Sequence, residues 1–220
     1  IHQLHRPGAP FVFGYGNSPM DLKTVQAAYA HPIGMQTQGG MCDMARYYNL
    51  PTWGEAGHGC SKLCDEQAAQ EGMFTILMAA MQGCNITHDV GYNNFGLGFS
   101  FETLVMNDNA IGMVKEVMKG VEVNEDTLSV DVIKKAGYNG DFLRTKHTRE
   151  GARTMWRGDL SDFFSYQDWL SQGATSMGER VHAKVERILA NHPAPALPQE
   201  IDAQIESIIE AAREKAATLD

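Results

Sequence analysis

Leu50-Pro51-Thr52-Trp53-Gly54, then Asp65-Glu66-Gln67-Ala68-Ala69-Gln70-Glu71 running on to Gln82, then Asn85-Ile86-Thr87-His88-Asp89-Val90: this succession of a short β-prone run, a long helical run and a second β-prone run decides the fold. In the middle segment Ala69, Met73, Ile76, Leu77 and Ala80 recur at the spacing of one helix face, and Gly83 follows as a helix-ending residue. Residues 50–54 and 85–90 read as strands, joined to the helix through a glycine-dotted loop over 54–60.

The same alternation extends in both directions. Upstream, Phe11-Val12-Phe13-Gly14-Tyr15-Gly16 reads as a buried strand ending in glycines, and residues 34–48 as a helix that Pro51 prevents from continuing. Downstream, after a loop over 91–98, Ser100 is placed to cap a helix with Phe101, Leu104 and Val105 on one face, continuing over 111–118 to Gly120. Asn124-Glu125-Asp126 opens another helix, with Val130, Ile133 and Lys134 before Gly137, and residues 142–147 read as a fourth strand. Val181, Val185, Ile188 and Leu189 share one helical face, and Ile201, Ile205, Ile208 and Ile209 another. Between them His192-Pro193-Ala194-Pro195-Ala196-Leu197-Pro198 is a stiff linker.

Four β-then-α units in order imply an α/β fold with a parallel sheet. A closed (β/α)8 barrel takes about 250 residues and eight such units, so this chain accounts for roughly the carboxyl-terminal half of one, plus C-terminal helices. The expected division is residues 1–190 as barrel and 191–220 as linker and amphipathic helix. A half-barrel leaves two sheet edges unpaired. With the start at Ile1 rather than Met, this points to a piece of a longer barrel or a chain that pairs with a partner half, and to a homo-oligomer.

Composition narrows the function classes. The chain has 220 residues, 18 Lys and Arg against 27 Asp and Glu, and a net charge of −9. That acidity argues against a partner made of nucleic acid, which needs a basic surface. No apolar run approaches a membrane span, the nearest being residues 73–81. The four cysteines, Cys42, Cys60, Cys64 and Cys84, form no disulfide scaffold. With no signal peptide in view they place the chain in a reducing cytoplasm. The twelve methionines suit a pliable core.

In parallel α/β folds ligands sit at the carboxyl ends of the strands. The candidates are therefore Tyr15 and Asn17, Glu55 and His58, His88, Asp89, Tyr92 and Asn93, and His147. Tyr15, Trp53, Tyr92 and Phe95 are aromatic neighbours of these loops, and an aromatic cage is one way to hold a quaternary ammonium. Of the acids opening the long helix, Asp65 and Glu71 are six apart and share no face, whereas Gln67 and Glu71, four apart, do. His58, Cys60 and Cys64 are the right residue types for zinc, but no second ligand pair accompanies them and no metal is assigned. Dinucleotide, phosphate-loop and serine-hydrolase signatures are absent.

Several segments together resemble the trimethylamine methyltransferase (MttB-like) family. They are Arg6-Pro7-Gly8-Ala9-Pro10-Phe11, Met20-Asp21-Leu22, Ala45-Arg46-Tyr47-Tyr48-Asn49-Leu50-Pro51, the Asp65-to-Glu71 segment and Phe101-Glu102-Thr103-Leu104-Val105. Phe142-Leu143 with His147-Thr148, Trp169 with Gly173, and the tail from Ile188-Leu189-Ala190 to Pro198 complete the series. The likeness is to the family's C-terminal part. It implies a TIM-barrel enzyme that moves a methyl group from a methylated amine to the Co(I) of a separate corrinoid protein. The implied partners are that corrinoid protein, which carries the cobalamin, and a small methylated amine, with no cofactor bound by this chain itself. Some family members carry pyrrolysine; a chain of standard residues favours glycine betaine or another quaternary amine over trimethylamine. Where the family has a Ser-Asp-Ser-Lys-like stretch, this chain reads Gly59-Cys60-Ser61-Lys62, so the substrate does not carry over.

On this reading His58, Glu55 and His147 are the candidate catalytic residues. Tyr15, Trp53, His88, Asp89, Tyr92 and Asn93 are the substrate-binding candidates, and Asp65, Gln67 and Glu71 are a motif without an assigned role. Two rival readings stand beside it: a non-catalytic half-barrel that serves as a binding or assembly module, and a metal-dependent barrel enzyme built on His58, Cys60 and Cys64.

Overall fold

A computed structural model describes residues 1–217. After a short helix, α1 (His2–His5), come β1 (Phe13–Gly14), a hairpin of β2 (Met20–Asp21) and β3 (Gln26–Ala27), α2 (Pro32–Tyr47), β4 (Thr52–Glu55), α3 (Glu66–Gln82) and β5 (Ile86–His88). The strands β1, β4 and β5 form one parallel sheet in that spatial order, with Gly14 beside Trp53 and Glu55 beside His88. Neighbours in sequence are therefore neighbours in space, each pair joined through a helix, as the alternation of segments predicts.

Local chemistry sets the helix limits. Asp65 caps α3, its carboxylate accepting from the Ala68 N–H, and Gly83 ends the helix at φ 74°, a conformation that costs glycine nothing. His31 caps α2 through a bond from the Ile33 N–H, and Pro32 occupies the first turn, where its missing N–H is not needed. A second hairpin, β6 (Tyr92–Asn93) with β7 (Gly98–Phe99), folds the loop after β5. It leads into α4 (Phe101–Met118), capped by Ser100 as expected, the hydroxyl accepting from the Thr103 N–H at 3.1 Å.

The core lies between α3, α4 and β4. Ile76 and Ala79 of α3 meet Ala110 and Val114 of α4 and Ala56 just past β4. A second cluster joins Ala68 and Met106 to Leu160 and Val181. The pleat assigns the two faces of the sheet. A Cβ on Gly54 would strike Gln38 of α2, so that face carries the helices. Trp53, Glu55, Ile86 and His88 alternate onto the other. There Trp53 and Ile86 stay 38% and 52% exposed.

Several expectations are corrected. The run 11–16 is not a buried strand: only Phe13–Gly14 pair, and Phe11 and Val12 are exposed, because among the described residues β1 has β4 alone as a neighbour. The buried face of α4 is Thr103, Met106, Asn107, Ala110 and Val114, not that of Phe101; the pairing with α3 selects it. The helix opened by Asn124 breaks at Ser129 (φ 52°) into α5 (Glu125–Leu128) and α6 (Val130–Ala136). Residues 142–147 are not a strand. Asp141 accepts from the Leu143 N–H in a 3-10 turn, and Thr145 caps α7 (Lys146–Thr154); local side-chain bonds capture the backbone there before any sheet does. The parallel sheet thus has three strands among the described residues, and no closed barrel is seen.

Next come α8 (Tyr166–Ser171), α9 (Met177–Asn191) and α10 (Gln199–Ala217). The chain divides into two compact units, Ile1–Val185 and Glu186–Asp220. In the first, Val181 and Val185 of α9 are buried. The second holds the end of α9, the proline segment and α10, which buries none of its residues. No helix of the described residues is long and apolar enough to cross a membrane.

Because α4 supplies much of the core, its cap is a sensitive point. Ser100→Ala should cost about 1 kcal/mol, read as a lower urea midpoint at unchanged m-value.

Candidate functional site

The residues that follow β4 and β5 are joined by backbone bonds that prolong the sheet as paired loops. Ala56 donates to His88, Gly91 to Gly57 and Gly59 to Tyr92. Gly57, at φ 68°, is clamped further: its N–H donates to the Thr75 hydroxyl at 3.0 Å and its carbonyl accepts from Asn107 Nδ2 at 2.7 Å. Gly72 makes the second clamp possible, since a Cβ there would collide with the Asn107 amide. On the other side Gln38 brackets Glu55, its Nε2 donating to the Glu55 carbonyl and its Oε1 accepting from the Glu55 N–H.

This framework brings Glu55, His58 and Asp89 together. One imidazole nitrogen and one oxygen from each carboxylate all lie within 4.8 Å of one another, the only such group of metal-ligating types among the described residues. The His58 ring is fully buried, and its Nε2 lies 4.0 Å from Glu55 Oε2. Its Nε2 contacts the Tyr29 carbonyl at 3.1 Å. A carbonyl only accepts, so this nitrogen carries the proton and Nδ1 keeps a bare lone pair. Burial holds the imidazole below its ordinary pKa, hence neutral. Glu55 moves the other way: burial, with the nearby Asp89 charge added, lifts its carboxyl from 4.5 to about 7. His88 anchors Asp89 through Nδ1 to Oδ1 at 2.6 Å and stacks on Trp53 with ring centres 3.9 Å apart. Glu55 Oε2, His58 Nδ1 and His88 Nε2 are buried without a hydrogen-bond partner.

The remaining candidates fall into different positions. Tyr15 is buried, its hydroxyl donating to the Gly34 carbonyl, and burial together with the Glu55 charge raises its pKa. Asn93 is buried and donates to Thr103. Tyr92 is partly exposed. Phe95 stacks under Lys62, 4.1 Å from ring centre to Nζ, and Trp53 has its ring contact with His88. Asp65, Gln67 and Glu71 hold the loop before α3. Asp65 accepts from Ser61 Oγ, Glu71 accepts from the Cys60 and Ser61 N–H groups, and Gln67 donates to Glu71. Cys60 and Cys64 are outside the Glu55 group.

His147 is a correction: it lies in α7 and bonds Ser129 Oγ and the Asp126 carbonyl, because the strand that was to carry it is helical. Tyr29, Gln38, Thr75 and Asn107 were missed. The first presents only a backbone carbonyl, which leaves no residue signature. A polar Gln, Thr or Asn on the apolar face of a helical pattern was the available signal for the others.

Fold and site define a class: an α/β protein whose buried ionisable groups gather at the carboxyl ends of parallel strands. Within it, the sequence pattern described as trimethylamine methyltransferase (MTTB) matches residues 1–217. The chain is 33% identical over 96% of its length to trimethylamine methyltransferase MttB of Desulfitobacterium hafniense (strain DSM 10664 / DCB-2), covering 42% of that protein. It is 33% identical over 95% of its length to a glycine betaine methyltransferase of Desulfitobacterium hafniense (strain Y51), covering 44%. It is 31% identical over 96% to trimethylamine methyltransferase MttB of Methanosarcina barkeri (strain Fusaro / DSM 804), covering 43%. The chain belongs to the trimethylamine methyltransferase family, and it spans less than half the length of these relatives.

A raised carboxyl pKa has a definite consequence. Between pH 4.5 and about 7 the folded chain binds more protons at Glu55 than the unfolded chain does, so this group makes stability fall as pH rises. In chelator-treated protein, Glu55→Gln should remove that slope and raise the melting temperature relative to wild type at alkaline pH, with little difference near pH 4.5. Parallel melting curves across that range check it; an unchanged difference would place the Glu55 carboxyl in a solvated setting.

Proposed function

We propose that this chain is the carboxyl-terminal part of a (β/α)8-barrel methyltransferase that moves a methyl group from a quaternary amine, glycine betaine or a relative of it, to the Co(I) of a corrinoid protein. Family membership supports the reaction class. The uncovered sheet face, with helices on the other, is what a barrel lining would present. The split proposed is residues 1–190 for the barrel part and 191–220 for the linker and tail helix.

The observation that carries the substrate class is Trp53. Its ring is stacked on His88 yet 38% exposed, on the face that a barrel would turn inward. An indole face attracts a quaternary ammonium by about 0.5–2 kcal/mol and demands no hydrogen bond, which such a cation cannot give. Tyr92, 39% exposed beyond the end of β5, extends the surface. The corrinoid, held by its own protein, supplies the electron pair that the methyl carbon receives. The C–N bond breaks with its pair left on nitrogen as a neutral tertiary amine, so no acid is needed for that leaving group. What this chain does is orientation, which sets the methyl in line with the acceptor. Glu71, Asp65 and Gln67 act as positioning residues by holding the loop at Gly59–Ser61. A strongly reducing acceptor fits a reducing compartment, the cytoplasm.

Methylation of cob(I)alamin by the full-length protein, followed by absorbance with trimethylamine, glycine betaine, carnitine and proline betaine, tests the reading. A quaternary amine should react, and Trp53→Leu should raise its KM by about tenfold, with Trp53→Phe recovering part of the loss. Folded protein inert toward the whole panel would overturn the proposal.

A further inference from the structure

We infer that Glu55, His58 and Asp89 form a binding site for one divalent first-row metal ion, with Zn2+ the expected occupant. The inference rests on these side chains and not on the methyl-transfer reading.

The geometry comes first. Three donor atoms within 4.8 Å of one another leave a central point at most about 2.8 Å from each, and zinc takes imidazole nitrogen and carboxylate oxygen at about 2.0–2.2 Å. Closing that gap asks for side-chain shifts of under an ångström, not a backbone change. Glu55 is paired with His88 at the end of the ladder; Asp89, next in the chain, leaves the strand at φ 72°, and His58 lies in the loop beyond β4.

The second argument is the unmet demand of the buried atoms. The Glu55 side chain is only 6% exposed and that of Asp89 11%. Their ion-pair partners among the described residues are histidines, not Lys or Arg. Glu55 Oε2 and His58 Nδ1 have no hydrogen-bond partner at all. Two buried carboxylates without a fixed cation are costly. A divalent ion neutralises both; the imidazole nitrogen facing Glu55 is Nε2, so ligation there moves the ring proton to the unpartnered Nδ1 and replaces the Tyr29 carbonyl contact. The outer contacts suit the same role, since His88 orients Asp89 as carboxylate ligands are usually oriented by a neighbour. An imidazole in the set favours zinc-like ions over calcium or magnesium, which prefer oxygen alone. Three protein donors leave a coordination position open for an exogenous ligand.

The test uses the full-length protein, stripped with chelator and titrated with Zn2+ by calorimetry, with metal content measured after dialysis. One equivalent should bind. Glu55→Gln and Asp89→Asn, checked for folding by circular dichroism, should weaken it by more than about 100-fold, while Cys60→Ser and Cys64→Ser leave it unchanged. Co2+ in the wild-type protein gives a readout that needs no variant: visible d–d bands without intense thiolate-to-metal absorption. No binding to folded wild type, binding unaffected by Glu55→Gln, or loss on replacing the cysteines would each overturn the inference.

Discussion

The backbone of one residue, Gly57, ties the structure together. Its N–H goes to Thr75 of α3, and its carbonyl receives both Asn107 of α4 and the Gly91 N–H from beyond β5. Those bonds occupy the donor and both lone pairs of a buried backbone unit that has left its strand and has no ladder to satisfy it. They also decide packing. Asn107 reaches Gly57 only because Gly72 lets α4 close on α3, and that closure forms the cluster of Ile76, Ala79, Ala110 and Val114. The core and the strand-end loop are thus one construction, and a loop so clamped keeps the residues on either side of it, Glu55 and His58, in fixed places.

The consequence is electrostatic. A loop free to move would turn Glu55 and His58 into water. Held as it is, it keeps an acid, a base and the neighbouring Asp89 in a poorly solvated space, and the two pKa values shift in opposite directions, each toward the neutral form: the carboxyl up, the imidazole down. Trp53 and His88 are stacked beside it on the helix-free face.

How much of this was legible follows from the range of the forces involved. Helix α3 was readable to within a residue because its periodicity, its Asp65 cap and its Gly83 stop are all local and all agree. Ser100 was readable for the same reason. The strand-end rule found Glu55, His58, His88 and Asp89, and the register of β4 with β5 then brought them together. The fourth strand failed because Asp141 and Thr145 form short-range caps that outcompete an apolar pattern of only a few residues, and His147 went with it. Gln38, Thr75 and Asn107 were missed because their partners are backbone groups 17, 18 and 50 residues away, distances at which a single sequence carries no pairing signal.

The family relation and the exposed sheet face bear on each other. A three-stranded parallel sheet normally covers both faces, since its strands are apolar on both sides. Here the helices cover one, and the other carries Trp53 and Ile86 partly in water next to buried ionisable groups. In an isolated α/β layer that would be a defect of packing. The chain spans less than half of its relatives, and the barrel proposed above is the arrangement that would turn this face into an interior.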